Sequence, residues 1–261
     1  MNRENRTHSL TVLIPCYNNA DIIERCLRSV AWADEILLCD SFSTDDTLAI
    51  GARFGARIIQ HEYINSAKQK NWAIPQASHP WVLLVDTDEV VPPELQQEIR
   101  AFLEDPPSDV DACRIARRNI ILGRWVSDLA LWPDYVTRLF RREKARYEER
   151  EVHADIVVPG RVHTLQHPLI HYGTPTWSKQ ISQLDRYTRY QAIEYYRQGR
   201  RFSWWRILTR PLAAFFYYYA WTRGYRHGMR GLFLSVHAAI YSFYTYAKLW
   251  EMEQRPTSND A

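Results

Sequence analysis

Short apolar runs alternate with amphipathic segments through the first hundred residues. Four runs have the length and composition of buried β-strands: residues 9–16 (SLTVLIPC), 35–40 (EILLCD), 56–60 (ARIIQ) and 81–86 (WVLLVD). Between the first two runs, Ile23, Leu27 and Val30 recur at helical spacing, and the prolines of PPELQQEIRAFL fit the first turn of a helix. Alternating strands and helices specify a sheet covered on both faces, so we predict an α/β fold with a mostly parallel sheet flanked by helices.

The residues at the predicted helix ends have the chemistry of helix caps. Ser43 and Asp46 have the spacing of a capping box at the start of the second helix, and Gly55 lies where that helix would end. A short helix is also predicted over residues 65–74. It carries Lys68, Lys70 and Asn71, which either meet a diphosphate or a base, or form a solvated helix face.

Polar residues follow the predicted strands where each strand ends. In open α/β sheets ligands bind at the carboxyl ends of the strands, which makes Asn18, Asp40 and Asp86 candidate binding residues. Asp86 and Asp88 flank Thr87 directly after an apolar strand. Two carboxylates at this spacing can converge on one hard divalent cation, with a diphosphate and water as its other ligands. The alternative interpretation is a solvated acidic turn.

Several common nucleotide-binding and catalytic motifs are absent from the sequence. It contains no GxGxxG, no GxxxxGK[ST] and no GxSxG, which argues against a dehydrogenase, a P-loop NTPase and a hydrolase with a nucleophile elbow. A nucleotide bound without a glycine loop needs a metal on its phosphates. The missing loop therefore agrees with a metal site at Asp86 and Asp88.

The cysteines and the N-terminus indicate an intracellular protein. Four cysteines lie far apart without metal-site spacing, so we expect reduced thiols rather than disulfides or a structural zinc site. The first ten residues, MNRENRTHSL, are polar, so we expect no signal peptide.

Four segments in the first ninety residues carry a family resemblance: VLIPCYNNADIIERCLRSV, WADEILLCDSFSTDDT, NWAI and WVLLVDTDE. They resemble the signature of glycosyltransferase family 2 of the GT-A fold. A later run, ARRNIILGRW with WPDYVTRLF and VH, is similar to bacterial enzymes that add glucose or a related sugar to the lipopolysaccharide inner core. The resemblance covers roughly residues 9–175 and implies a GT-A catalytic domain over residues 1–175.

The resemblance also implies a site and a reaction. Asp86 and Asp88 would hold the diphosphate and its Mg²⁺ or Mn²⁺, and transfer would invert the anomeric carbon. Some GT-A enzymes use a late histidine as a further metal ligand, which makes His171 a candidate. The full set of predicted nucleotide-sugar-binding residues is Pro15, Tyr17, Asn18, Asp40, Lys68, Asn71, Asp86 and Thr87.

The chain departs from the family where a general base is expected. Related enzymes have Val-His-Glu, whereas this sequence has alanine at position 154. Asp155 is our first candidate for the base and Glu151 the second, although on a strand either needs a bulge to reach the same face. The alternative is that neither is catalytic, in which case the chain binds a nucleotide sugar without transferring it.

Trp132 and Arg138 are the candidate acceptor-binding residues. An aromatic ring such as Trp132 can stack on a sugar face, and an arginine can bind an anionic acceptor. The alternative for Trp132-Pro133 is a rigid turn.

Charge and aromatic residues divide the chain into two parts. Residues 1–100 have 14 acids against 9 Lys and Arg, whereas residues 195–250 hold 18 of the 35 Phe, Trp and Tyr, eight arginines and no acid. We predict a helical, basic and aromatic region over 176–261, with amphipathic segments at 211–221 and 232–250 lying on a membrane surface. The alternatives are helices packed on the catalytic domain, or binding to a single-stranded nucleic acid.

Together these observations predict an inverting, metal-dependent hexosyltransferase. The donor would be a UDP-hexose, with glucose favoured, and the acceptor a lipid-anchored glycan such as lipopolysaccharide core. The enzyme would be peripheral, on the cytoplasmic face of the inner membrane.

Overall fold

A computed structural model describes residues 9–129, 131–148, 155–174 and 176–254. The chain divides into two compact units. The first contains the residues up to Asn119 together with Pro133–Gly173, and the second contains Ile120–Trp132 and the chain from Thr174 onward. Residues 120–132 thus join the second unit, although the sequence had placed them within the catalytic domain.

The first unit begins with the predicted alternation of strands and helices. In chain order its elements are β1 (Leu10–Cys16), α1 (Ile23–Val30), β2 (Glu35–Asp40), α2 (Thr47–Arg53), β3 (Arg57–Gln60), α3 (Ser66–Ala73), a 3₁₀ turn (Ile74–Gln76), β4 (Trp81–Leu84), β5 (Glu89–Val90) and α4 (Pro93–Glu104). The order in the sheet is β3-β2-β1-β4, and these four strands are parallel. Cys16 is level with Asp40, and Asp40 with Gln60, so the carboxyl ends of β1, β2 and β3 form one edge.

Beyond α4 the sheet continues in mixed directions. Its further strands are β6 (Val110–Ile121), β7 (Arg124–Trp125), β8 (Asp134–Arg141), β11 (Arg161–Thr164) and β12 (Leu169–Thr174). Two short strands, β9 (Arg146–Tyr147) and β10 (Ile156–Val157), form a separate antiparallel pair. β8 is antiparallel to both β4 and β6, and β12 is antiparallel to β5. Among the described residues between β6 and β8 there is no helix, and a parallel pair would need a long crossover. β11 is parallel to β6. The parallel arrangement predicted from the sequence therefore applies mainly to the first four strands.

Apolar side chains fill both faces of the parallel strands. Val12 and Ile14 belong to one buried cluster, which includes Leu27 of α1, whereas Leu13 belongs to another, which includes Ala73 of α3. This division follows from the alternation of side chains along a strand. All four cysteines are buried and free, as expected.

The helix ends only partly follow the sequence prediction. Gly55 adopts φ +69° at the end of α2, as predicted. The capping box is wrong, because the Ser43 hydroxyl donates to Asp40 and not to the helix. Instead, the carboxylate of Asp45 accepts the N–H of Thr47 at 3.0 Å.

The second unit is mainly helical. It contains α5 (Trp177–Arg197), α6 (Trp204–Phe216), a π-helical turn (Tyr217–Trp221), a 3₁₀ turn (Gly224–His227) and α7 (Met229–Gln254). Both α5 and α6 pack on α7, where Ala192, Tyr246 and Leu249 are buried together. Among the helices that the structure describes, none has the length and apolar character needed to cross a membrane.

Candidate active site

The Asp86-Thr87-Asp88-Glu89 segment forms a tight turn just beyond β4. The N–H of Glu89 donates to the carbonyl of Asp86 at 2.9 Å, and the Glu89 side chain folds back to accept the N–H of Asp86, also at 2.9 Å. The turn begins at the parallel-strand edge, because the N–H of Val85 still bonds to the carbonyl of Leu13 in β1. The acidic motif therefore lies at the end of the sheet where ligands bind in folds of this class.

Arg138 of β8 lies beneath this turn and holds two of its carboxylates. Its Nη2 atom donates to Asp86 Oδ2 at 2.5 Å and to Glu89 Oε1 at 2.6 Å. Arg138 is 4% exposed and Glu89 is completely buried. The prediction that Arg138 binds the acceptor is therefore wrong: its guanidinium is enclosed by protein and is engaged with the acidic turn.

The charges around Arg138 shift the pKa values of its partners. Loss of water alone would raise the pKa of Asp86, but the positive charges of Arg138 and Lys70 outweigh that effect and hold it well below its usual range. Burial raises the pKa of Glu89, although Arg138 opposes the change. Asp86 thus remains a carboxylate at neutral pH, but one already paired with cations.

Lys70, and not Lys68, faces the acidic turn. The Lys70 ammonium lies 3.8 Å from Asp86 Oδ1 and 5.1 Å from the ring centre of Tyr147. Its burial lowers its pKa, and the nearby Asp86 carboxylate partly restores it. The Lys68 side chain is exposed, so its contact with a diphosphate stays a prediction.

Asn71 has a structural role instead of the predicted nucleotide contact. Its Nδ2 atom donates to the Tyr147 carbonyl at 2.9 Å, and its Oδ1 atom accepts the Tyr147 N–H at 2.8 Å. The amide therefore imitates a strand partner and fixes β9 against α3. We correct the earlier assignment, because this paired arrangement directs the amide at the protein backbone.

Asp88 lies next to a histidine from another strand. His171 of β12 places its Nε2 atom 3.6 Å from Asp88 Oδ2, and its Nδ1 atom lies 2.7 Å from Asn119 Oδ1. Gly173 makes room for this ring, since a Cβ atom at position 173 would lie 2.7 Å from His171 Nε2. Asp88 and His171 therefore present an oxygen and a nitrogen to the same small space.

The predicted nucleoside residues form the adjacent part of the edge. Asn18, in a left-handed conformation (φ 48°), donates its N–H to Ser43 Oγ at 2.9 Å and accepts the Thr44 N–H at 2.8 Å. Tyr17 is exposed and Pro15 is half-buried. These contacts join the loops that follow β1 and β2.

Asp40 is buried beneath these two loops. Its carboxylate accepts hydrogen bonds from Gln60 Nε2 at 3.0 Å and from the Ser43 N–H at 2.9 Å. It therefore shapes the loop after β2. A direct contact with a nucleoside requires one of these partners to be exchanged, and that contact stays a prediction.

The remaining candidate residues are Asp155, Glu151 and Trp132. The Asp155 side chain is exposed, and its carbonyl accepts the Glu148 N–H at 3.1 Å. Glu151 lies outside the described residues. Trp132 belongs to the second unit, where it meets Trp125 edge-to-face with ring centres 5.5 Å apart.

Glu89, Asn119 and Asp134 take part in the contacts of this site, although the sequence did not single them out. One signal was available: an arginine inside an apolar strand, as in YVTRLF, requires a buried anionic partner. The partners themselves come from segments that only the folded chain brings together.

Comparison with known proteins identifies the family of the chain. The family described as Glycosyl transferase family 2 matches residues 11–164. The lipopolysaccharide core biosynthesis glycosyltransferase LpsC of Rhizobium meliloti is 28% identical over 97% of both chains. An uncharacterized glycosyltransferase of Rickettsia conorii is 26% identical over 95% of this chain and 91% of its own.

Solved structures show the same fold. The mannosyltransferase PcManGT from Pyrobaculum calidifontis, in complex with GDP-Man and Mn²⁺, superposes with a TM-score of 0.59 at 16% identity, covering 95% of this chain and 88% of its own. Staphylococcus aureus TarS in complex with UDP-GlcNAc gives a TM-score of 0.50 at 18% identity, covering 71% and 65% of the two chains. The predicted GT-A fold is confirmed, and the chain belongs to glycosyl transferase family 2.

Proposed function

We propose that this glycosyltransferase moves a hexose, with glucose favoured, from a UDP-sugar to a lipid-anchored glycan of the lipopolysaccharide-core type. The observation that carries the proposal is the pair formed by Asp88 and His171 at the edge of the parallel strands, beside the cationic Lys70 and Arg138. The similarity to LpsC supports the acceptor class. A nucleotide-sugar diphosphate fits an edge that combines these ligands and charges.

The donor set at this edge fits Mg²⁺ or Mn²⁺. Among the described residues no group of three or more His, Cys, Asp or Glu is suited to a metal ion. A cation bound together with a diphosphate needs fewer protein ligands, because phosphate oxygens and water supply the rest. We therefore assign the protein ligands to Asp88 and His171, and we revise the role of Asp86, whose carboxylate is paired with Arg138. The bound metal would neutralise the charge that develops on the departing diphosphate.

The protein must also accept the proton of the acceptor hydroxyl. In an inverting transfer this hydroxyl oxygen attacks the anomeric carbon from the side opposite the diphosphate, and a carboxylate takes its proton. Asp155 is our proposed base because its side chain is exposed to solvent, and Glu151 is the second candidate. Ala154 stands where related enzymes have glutamate, so activity is the direct test of this assignment.

Release of UDP from a panel of UDP-sugars, with Mn²⁺ and a lipid extract containing truncated lipopolysaccharide, tests the proposal. We expect metal-dependent release from one UDP-hexose that the lipid accelerates, and Asp155→Asn should slow it without weakening UDP binding. UDP binding without release from any sugar would contradict transfer and favour a binding protein without turnover.

We further propose that the second unit attaches the enzyme peripherally to the cytoplasmic face of the inner membrane. Trp204, Trp205, Leu208, Leu212 and Phe216 of α6 are each between 61% and 74% exposed. With 3.6 residues per turn they fall within an arc of about 120° on one side of the helix. Ile207, which packs with the buried Tyr246 and Leu249, lies on the other side.

The charge of this unit favours an anionic lipid surface as the occupant of the α6 arc. Eight arginines and no acid occur over residues 195–250. Each arginine near an anionic membrane contributes about 1 kcal/mol to binding. Trp, Phe and Leu are the residues that enter the headgroup region from a surface helix.

Substitution within the arc tests this attachment. We expect Leu208→Ser/Leu212→Ser to weaken binding to vesicles containing anionic lipid at least about tenfold, since burial of two leucines is lost. The matched control is Ile181→Ser/Val157→Ser, which removes two exposed apolar side chains elsewhere, Ile181 at 62% and Val157 at 51% exposure. Co-sedimentation measures both. Unchanged vesicle binding of the α6 variant would contradict a membrane contact.

A further inference from the structure

A chain of hydrogen bonds reaches from the interior to the Asp88–His171 pair. It begins at Arg117, continues through Asp134 and Asn119, and ends at the His171 ring. We propose that Asn119, oriented by Asp134, is a positioning residue that fixes the tautomer of His171 and turns the lone pair of Nε2 toward Asp88. The inference rests on the proposed function, because that lone pair is what a divalent cation would bind.

The orientation of the Asn119 amide follows from the contacts of Asp134. Arg117 places Nε at 2.9 Å and Nη2 at 2.7 Å from Asp134 Oδ2, which holds this side chain in place as an acceptor. A carboxylate oxygen that faces guanidinium N–H groups accepts hydrogen bonds. The Asn119 atom that lies 3.1 Å from the same oxygen must therefore be the amide nitrogen, and the amide oxygen points the other way.

The orientation of Asn119 in turn determines the proton on His171. Asn119 Oδ1 lies 2.7 Å from His171 Nδ1, and a carbonyl oxygen only accepts, so Nδ1 must carry hydrogen. A neutral imidazole has one such hydrogen, which leaves Nε2 with a free lone pair. That atom is the one that lies 3.6 Å from Asp88 Oδ2.

The opposite tautomer would block the site. A hydrogen on Nε2 would point at Asp88, pair with its carboxylate and leave no nitrogen lone pair for a cation. Metal-binding histidines in proteins commonly donate their other ring N–H to a carbonyl or carboxylate, which fixes both ring and tautomer. Asn119 supplies that acceptor here, and Asp134 and Arg117 hold it in place.

The first test reads the tautomer in the metal-free protein. Nitrogen-15 NMR of histidine-labelled wild-type protein should give the signature of an Nδ1–H ring at His171. Asn119→Leu, which has no acceptor, should lose that signature. Glu98→Leu is the matched control, because it removes the acceptor 2.8 Å from Nδ1 of His167 and should leave His171 unchanged. An Nε2–H ring in the wild-type protein would overturn the inference without any variant.

The second test measures metal affinity. Titration of Mn²⁺ in the presence of UDP, followed by electron paramagnetic resonance, should show an affinity about 10- to 100-fold weaker in Asn119→Leu than in wild type or Glu98→Leu. Equal affinity of folded Asn119→Leu and wild type would show that Asn119 is only structural and would overturn the inference. A wild-type protein that binds UDP but no Mn²⁺ would instead overturn the proposed metal site, and the inference with it.

Discussion

Asp88→Ala should lower the rate of sugar transfer at least about a thousandfold, because the charge that builds on the departing diphosphate loses its stabilisation. Among the described residues the Asp88 carboxylate has one ion-pair partner, His171 Nε2 at 3.6 Å, and it is partly exposed. Its loss should therefore change the free energy of unfolding by no more than about 0.5 kcal/mol. Steady-state kinetics and urea unfolding measure the two quantities.

The control for Asp88→Ala is another exposed aspartate of the same unit. Asp109 pairs with Arg161 at 2.7 Å on the surface, and Asp109→Ala should keep wild-type activity. Asp88→Asn should be nearly as inactive as Asp88→Ala, since an amide retains the shape but not the charge. Full activity of either Asp88 variant would contradict its assignment as a metal ligand.

Arg138→Leu should destabilise the fold by about 3–5 kcal/mol at neutral pH, since the buried Glu89 carboxylate loses its hydrogen-bonded counterion and keeps Arg117, 3.9 Å away. The effect should depend on pH. Burial already raises the pKa of Glu89, and loss of Arg138 removes the charge that opposes this rise. Protonation relieves the penalty, so the loss of stability should grow as the pH rises and shrink as it falls. Urea unfolding between pH 5 and pH 8 measures the trend.

A double variant distinguishes two causes of the stability loss in Arg138→Leu, a buried charge without its main counterion, and lost packing. Arg138→Leu/Glu89→Gln should recover much of the stability, because the fully buried carboxylate is removed together with its counterion, while the partly exposed Asp86 keeps Lys70 3.8 Å away. Arg161→Leu breaks an exposed ion pair and should leave the free energy of unfolding almost unchanged. A pH-independent loss in Arg138→Leu, without recovery in the double variant, would mean that packing and not charge explains the effect.

The parallel part of the fold was predictable because its signals are local. An apolar run such as 81–86 and the helical spacing of Ile23, Leu27 and Val30 depend on neighbouring residues only. The position of Asp86 and Asp88 at the binding edge followed from the same pattern, because the edge is defined by where a strand ends. The antiparallel strands carried no such repeat, since they follow one another without intervening helices.

The partners within the site depend on contacts between distant segments. Arg138 is 52 residues from Asp86, and His171 is likewise 52 residues from Asn119. Composition and spacing cannot distinguish an arginine that binds the acceptor from one that is buried under an acidic turn. For Arg138 the sequence suggested the first role, and the structure shows the second. The same limit applies to Asn71, whose amide proved to bind the backbone of Tyr147.

The most direct test of the account is to locate the metal in crystals grown with Mn²⁺ and UDP. Anomalous scattering at the manganese edge identifies the ion without reference to the protein density. We expect a single strong peak bonded to the Asp88 carboxylate and His171 Nε2, with the diphosphate as its other ligand and Asp86 still paired with Arg138. UDP bound away from the edge of the parallel strands, or manganese out of reach of Asp88, would contradict the proposed site.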